Sequence, residues 1–215
     1  MENKTPNQSE TRLNIEATQD SAIAKVNKKV IYVSIIAILV VLGVAAIGYW
    51  IYKSGNDKAN EAIGKADIEQ NDSIKMAMYK QLADDGSYAA NERAKLVVAT
   101  RYYSEGKYQE AINYLDKASV KSQIIQTGAY TLKGDCYANL DKLDEALKCY
   151  NDALDEADNN PQLVPFVLVK MANIYRAQKN YEKELGVYTT IRTDYPGFMN
   201  DIDKYYERAK AAAGK

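Results

Sequence analysis

The chain has 215 residues, with 28 basic side chains against 29 acidic ones and no histidine. Balanced charge leaves no electrostatic footprint for nucleic acid. The missing imidazole removes Ser-His-Asp and Cys-His catalysis, histidine-ligated zinc and the usual proton shuttle near neutral pH.

Residues 1–29 form a polar head. Up to about residue 24 it holds Asn, Gln, Ser, Thr and scattered charges, too little apolar surface to offset the entropy of ordering, so it is expected to be disordered and cytoplasmic. Residues 30–52, VIYVSIIAILVVLGVAAIGYWIY, are 23 consecutive positions without a charge. As a helix at about 1.5 Å per residue they reach roughly 35 Å, enough to cross a hydrocarbon core of about 30 Å with some tilt. Tyr32 sits near one end, and Tyr49, Trp50 and Tyr52 crowd the other, where rings lie at headgroup level.

A cleavable signal peptide fits this run poorly. Its apolar core is usually about 7 to 15 residues, close to the N-terminus and ended by small residues. This run instead exits through Gly48-Tyr49-Trp50-Ile51-Tyr52. We read it as a retained transmembrane helix in contact with lipid. Gly43, Ala45, Ala46 and Gly48 offer a weak helix-packing face. Lys25, Lys28 and Lys29 precede the run, and Lys53 and Lys58 follow it. That small basic excess favours a cytoplasmic N-terminus with the larger part of the chain outside.

Residues 53–90 read as connecting helices. Ala59, Ala62, Ile63 and Ala66 recur at helical spacing, which predicts helices over 56–69 and 72–84 with Asp57 and Asp72 as N-caps. Asp84-Asp85-Gly86-Ser87 then breaks the pattern. No strand signature appears beyond it.

An internal echo follows. Ala99, Tyr102, Gly106, Tyr108, Ala111, Leu115 and Ala118 are matched 35 positions on by Gly134, Tyr137, Asp141, Leu143, Ala146, Tyr150 and Ala153. A further 38 positions give Ala172, Tyr175, Lys179, Tyr181, Glu184, Tyr188 and Ile191, followed by Pro196. Small residues at Ala99/Ala111 and Gly134/Ala146 allow close antiparallel helices. Rings at Tyr102, Tyr137 and Tyr175 fill the wedge beside that contact, and Ala118 and Ala153 admit the next unit. Glu184 stands where a small residue is expected, which predicts looser packing or a side chain reaching solvent.

These residues resemble the tetratricopeptide repeat (TPR) family over 91–196, as three helix-turn-helix units. The resemblance implies an all-α fold: a single membrane helix, then a right-handed solenoid with a degenerate unit in 53–90 and a capping helix in 197–215 begun by Asp201-Ile202-Asp203. The layout is also similar to bacterial single-span TPR proteins of the YfgM type, and the stretch from Tyr137 to DIDKYYERA to their Bacteroidetes versions. That likeness implies the inner membrane of a bacterium, a periplasmic TPR domain, and partners at the Sec translocon or among periplasmic chaperones.

By the TPR register the first helix of each unit lines a concave groove. The first unit contributes Arg93, Leu96, Thr100, Tyr103 and Ser104. The second contributes Gly128, Thr131, Asp135, Ala138 and Asn139, and the third Phe166, Val169, Asn173, Arg176 and Ala177. Leu96 and Thr100 occupy the places where a two-carboxylate clamp would want Lys and Asn, so that specialisation is not expected.

No catalytic constellation or cofactor site is expected. Asp152, Asp155, Glu156 and Asp158 lack the alternating ligands and glycine turn of a calcium loop and read as a solvated helix end. Cys136 and Cys149, 13 positions apart, match no metal spacing. They either pair across one hairpin or are two small buried free side chains, the simpler reading. The expected role is a membrane-tethered protein-interaction module accessory to protein export or periplasmic folding. A scaffold for envelope assembly or stress signalling is the alternative.

Overall fold

The computed structural model describes residues 28–86 and 88–215, and its contacts divide the chain into two units at Ser54/Gly55. The polar head up to residue 27 and Ser87 of the expected break lie outside the described residues. Among the described residues there are helices and no strands. They are α1 (Lys28–Ile68), α2 (Asp72–Asp84), α3 (Ala89–Ser104), α4 (Tyr108–Leu115), α5 (Gln123–Asn139), α6 (Leu143–Ala157), α7 (Val164–Ala177), α8 (Tyr181–Asp194) and α9 (Ile202–Ala212).

In the first unit, every residue from Val30 to Tyr52 is exposed. By length and composition α1 is a candidate membrane span. Within the apolar run Ser34 donates its hydroxyl to the Val30 carbonyl at 2.9 Å.

Two expected helix starts are corrected. Asp57 does not begin a helix; it lies inside α1, which continues to Ile68. Ser54, Gly55, Asn56 and Asp57 are cap-type residues, but ending one helix and starting another strands about four carbonyls and four N–H groups. One helical glycine costs only about 1 kcal/mol. Gly55 also has a packing reason, since a Cβ there would collide with the Tyr88 ring. The second cap is Asn71, not Asp72: its carboxamide oxygen accepts from Ser73 N and Ile74 N at 3.0 and 3.1 Å. Asp72 is instead paired with Arg101 of α3 at 2.8 Å.

From Gly55 on, the helices pack as consecutive hairpins. Ala59, Ile63 and Ala66 of α1 share a buried cluster with Tyr79, Leu82 and Ala83 of α2 and Ala90, Ala94 and Val98 of α3. Asn91 fastens α3 to the end of α2, donating to the Leu82 carbonyl at 2.7 Å while accepting from Tyr88 N at 3.1 Å. The next cluster holds Ala99, Ala111, Ile112, Leu115 and Cys136, and the one after it Ala146, Tyr150, Ala153, Val167, Met171 and Ile174. Tyr102 packs against the first two of these clusters and Tyr137 against the last two, so each ring is the wedge between neighbouring hairpins. Tyr108, Tyr175 and Tyr181 are half-buried.

The three echoing turn positions share one backbone state. Gly106, Asp141 and Lys179 have φ of 73°, 59° and 57°. Each bend is closed by the same hydrogen bond: Lys107 N to Tyr102 O at 2.9 Å, Lys142 N to Tyr137 O at 2.9 Å, and Asn180 N to Tyr175 O at 2.8 Å. This is the Schellman closure of a helix end.

Two expectations on packing change. Ala118 is not a stacking position on a helix, because α4 ends at Leu115. A buried Glu92–Lys95 pair (2.7 Å) captures the chain there, with Glu92 accepting from Ser119 N at 2.6 Å and Lys95 donating to Lys117 O at 3.2 Å. Glu184 neither loosens the third hairpin nor reaches solvent. It is 1% exposed and meets Arg208 of α9 at 2.9 Å. Gly134 faces the ring of Tyr150, where a Cβ would overlap it. Pro196 is exposed in the segment between α8 and α9.

Gly134→Ala is expected to lower stability by about 1 to 3 kcal/mol through overpacking, read as a drop in melting temperature. Lys179→Gly is expected to raise stability by about 1 kcal/mol in the same assay, since an L-residue in the left-handed state costs about that much.

Candidate partner-binding groove

Four of the residues assigned to the first unit's inner face come together. Arg93, Leu96, Thr100 and Ser104 lie on one stripe of α3 and line a groove of about 750 Å³, completed by Ala89, Val97, Arg101, Val120 and Ile125. Tyr103 is turned away, its ring against Tyr108 at 5.6 Å between centroids.

The polar groups of this groove are already engaged. Arg93 pairs with Asp67 at 3.1 Å, and Arg101 with Asp72 at 2.8 Å and Glu105 at 2.7 Å. A hydrogen bond from the Tyr79 hydroxyl is the main influence holding the Asp67 carboxyl below its ordinary range, with Arg93 acting the same way. The hydroxyls of Thr100 and Ser104 donate to carbonyls of their own helix, Leu96 O at 2.8 Å and Arg101 O at 2.7 Å.

The second unit's assignments fare differently. Thr131 is buried and donates to the Thr127 carbonyl at 2.7 Å, so it is no groove residue. Asp135 is held inside the stack, accepting from the Tyr150 hydroxyl at 2.7 Å and from Lys170 of α7 at 2.8 Å. It cross-links α5, α6 and α7. Asn139 is exposed and donates to Asp135 O at 2.8 Å. Gly128 is exposed and Ala138 packs into the core.

In the third unit Phe166 is exposed with the Lys170 ammonium 5.8 Å from its ring centre. Val169 packs on the cluster around Tyr188, while Asn173, Arg176 and Ala177 are exposed. None of these lines the α3 groove.

The register missed Val97, Val120 and Ile125. Its second unit starts near residue 127, whereas α5 begins at Gln123 and carries Ile124 and Ile125 ahead of it. The available signal was that isoleucine pair, an apolar step following the polar Lys121-Ser122-Gln123.

Burial is the main influence on the two thiols and on Tyr150. It pushes the Cys136 thiol up to about 12 and raises Cys149. It also raises the Tyr150 phenol, reinforced by the Asp135 charge and hydrogen bond. Both thiols are free and buried.

Hairpins closed by equivalent left-handed turns and stacked through small residues define a helical-repeat protein. The chain belongs to the tetratricopeptide repeat-like domain family, whose sequence profile matches residues 58–176. The match begins inside α1 and ends inside α7. Such domains are protein–protein interaction modules.

The fold is similar to two crystal structures of MamA, at 18% and 20% identity and a TM-score of 0.47 each, covering 65% and 77% of this chain and 87% and 91% of theirs. It is also similar to BtubC (BKLC) from P. vanneervenii, at 18% identity and a TM-score of 0.39, over 75% of this chain and 65% of that one. Likenesses this distant carry no functional argument. No curated protein matches the chain in sequence.

Both thiols are expected to resist Ellman's reagent near pH 8 in the native protein and to react fully in denaturant. The native state keeps these protons above the ordinary thiol value of 9.0, so their contribution to stability is present below that pH. It is lost as pH rises from there through the raised native values, and an alkaline shift in melting temperature reads it.

Proposed function

We propose that the chain is a membrane-tethered, non-catalytic interaction module that works at the outer face of a bacterial inner membrane as an accessory to protein export or periplasmic folding. One observation carries this reading: a fully exposed 23-residue apolar run and a TPR-like interaction domain occur in one chain. An apolar surface of that extent, with aromatic residues at its ends, is expensive in water and favourable in lipid. The basic residues before the run support the orientation, and the likeness to YfgM-type proteins supports the export context.

Tethering has an energetic use. Holding the module at the membrane raises its effective concentration near membrane partners to about the millimolar range, so modest groove contacts suffice. The residues offered for contact are those of the α3 groove. Asp135 and Thr131 serve the stack instead.

A reporter enzyme that needs an oxidising compartment is expected to be active when fused after Lys215 and inactive when fused before Met1; the reverse pattern discards the export reading. A photo-cross-linking residue at Thr100 is expected to capture translocon or chaperone subunits, with one at exposed Asn113 as control. Capture of envelope enzymes or regulators at Thr100 alone replaces the export role with scaffolding.

A further inference from the structure

The chemistry of the α3 groove narrows what it can hold, given the reading of that groove as the partner site. Its walls are aliphatic, built from Leu96, Val97, Val120 and Ile125. Ile125 is 47% exposed, a large apolar side chain left in water beside this concavity.

The charged groups of the groove are matched within the chain. Arg93 and Arg101 are each neutralised by carboxylates of this chain, at 3.1 Å for Asp67 and 2.8 Å for Asp72. With Glu105 also on Arg101, three carboxylates of this chain face the two guanidiniums, so the groove carries no net positive charge to draw an acidic segment, a terminal carboxylate or a phosphate. The hydroxyl protons of Thr100 and Ser104 are committed to their own helix. An extended peptide laid here would bring backbone N–H and C=O groups against Leu96, Val97, Val120 and Ile125, whose side chains offer them no hydrogen-bond partner. A helix satisfies its own backbone and has only side chains to bury.

Length agrees. Arg93 to Ser104 is 11 residues along α3, and at about 1.5 Å per residue the lined stripe is roughly 16 Å, about three helical turns. We propose that the groove binds an amphipathic helix of about three turns through an uncharged aliphatic face, independently of ionic attraction.

The test uses the full chain in lipid nanodiscs, with binding to empty nanodiscs subtracted, and fluorescence anisotropy of three labelled peptides. One is an amphipathic helix with leucines at i, i+3, i+4 and i+7 on a neutral polar background. The second has the same composition broken by two central prolines, and the third is acidic and extended. The helical peptide is expected to bind at least ~10-fold more tightly than the other two. Its affinity is expected to change less than ~2-fold between ~50 and ~500 mM salt, since no exposed ion pair forms. Ile125→Asp is expected to weaken it at least ~10-fold with helicity and melting unchanged, and Leu96→Asp to weaken it at least ~10-fold, while Leu96→Met stays within ~3-fold. Ile125, the more exposed of the two, keeps the test valid if Leu96→Asp unfolds. Equal or tighter binding of the proline-broken or acidic peptide, still abolished by Ile125→Asp, overturns the helix preference and leaves the groove as the partner site. Binding of no probe, or binding indifferent to both aspartates, overturns the site itself.

Discussion

A single backbone state, adopted three times, sets the geometry of the repeat domain. At Gly106, Asp141 and Lys179 the chain turns through the left-handed region, and each turn is closed by a hydrogen bond to the carbonyl of Tyr102, Tyr137 or Tyr175. The closure fixes where the second helix of each hairpin starts, and hence which small residues meet. It also places a cation near the tyrosine that ends the first helix: Lys107 over Tyr102 at 5.6 Å, Lys142 over Tyr137 at 5.9 Å and Lys183 over Tyr175 at 5.3 Å. The wedge rings are thus anchored by the turns that create the wedge.

Around this frame the interior charges hold the stack together. Glu92 and Lys95 catch the segment after α4, Asp135 joins α5 to α6 and α7, and Glu184 receives Arg208 from α9. A buried ion of this kind is costly unless its remaining hydrogen bonds are made, and here each carboxylate has a partner in another element. The same economy of charge extends to the groove, whose two arginines are matched by acids of this chain. What is left for contact is aliphatic.

Much of this was legible in the sequence. The spacing of small and aromatic residues located the three turns, because the left-handed bend, the close helix contact and the wedge ring each demand a residue type at a fixed offset. Three features were not legible. Continuity of α1 through Ser54-Gly55-Asn56-Asp57 depends on the cost of two helix ends outweighing four cap-type residues, a comparison local propensity does not make. The internal pairing of Asp135 depends on Tyr150 of α6 and Lys170 of α7, 15 and 35 positions along the chain. Glu184 departs from the repeat pattern, and only the partner from α9 explains why the departure is tolerated.

That last pair bears on how such a chain can change length. A solenoid of near-equal units can ordinarily gain or lose one, because each new unit meets the same small-residue seam. Here the seam of the final unit carries a carboxylate that α9 alone completes, with Arg208 also over the Tyr188 and Tyr205 rings. Another hairpin inserted before α9 would have to bring its own guanidinium to that spot. An added hairpin without one would bury an unpaired carboxylate, which is costly.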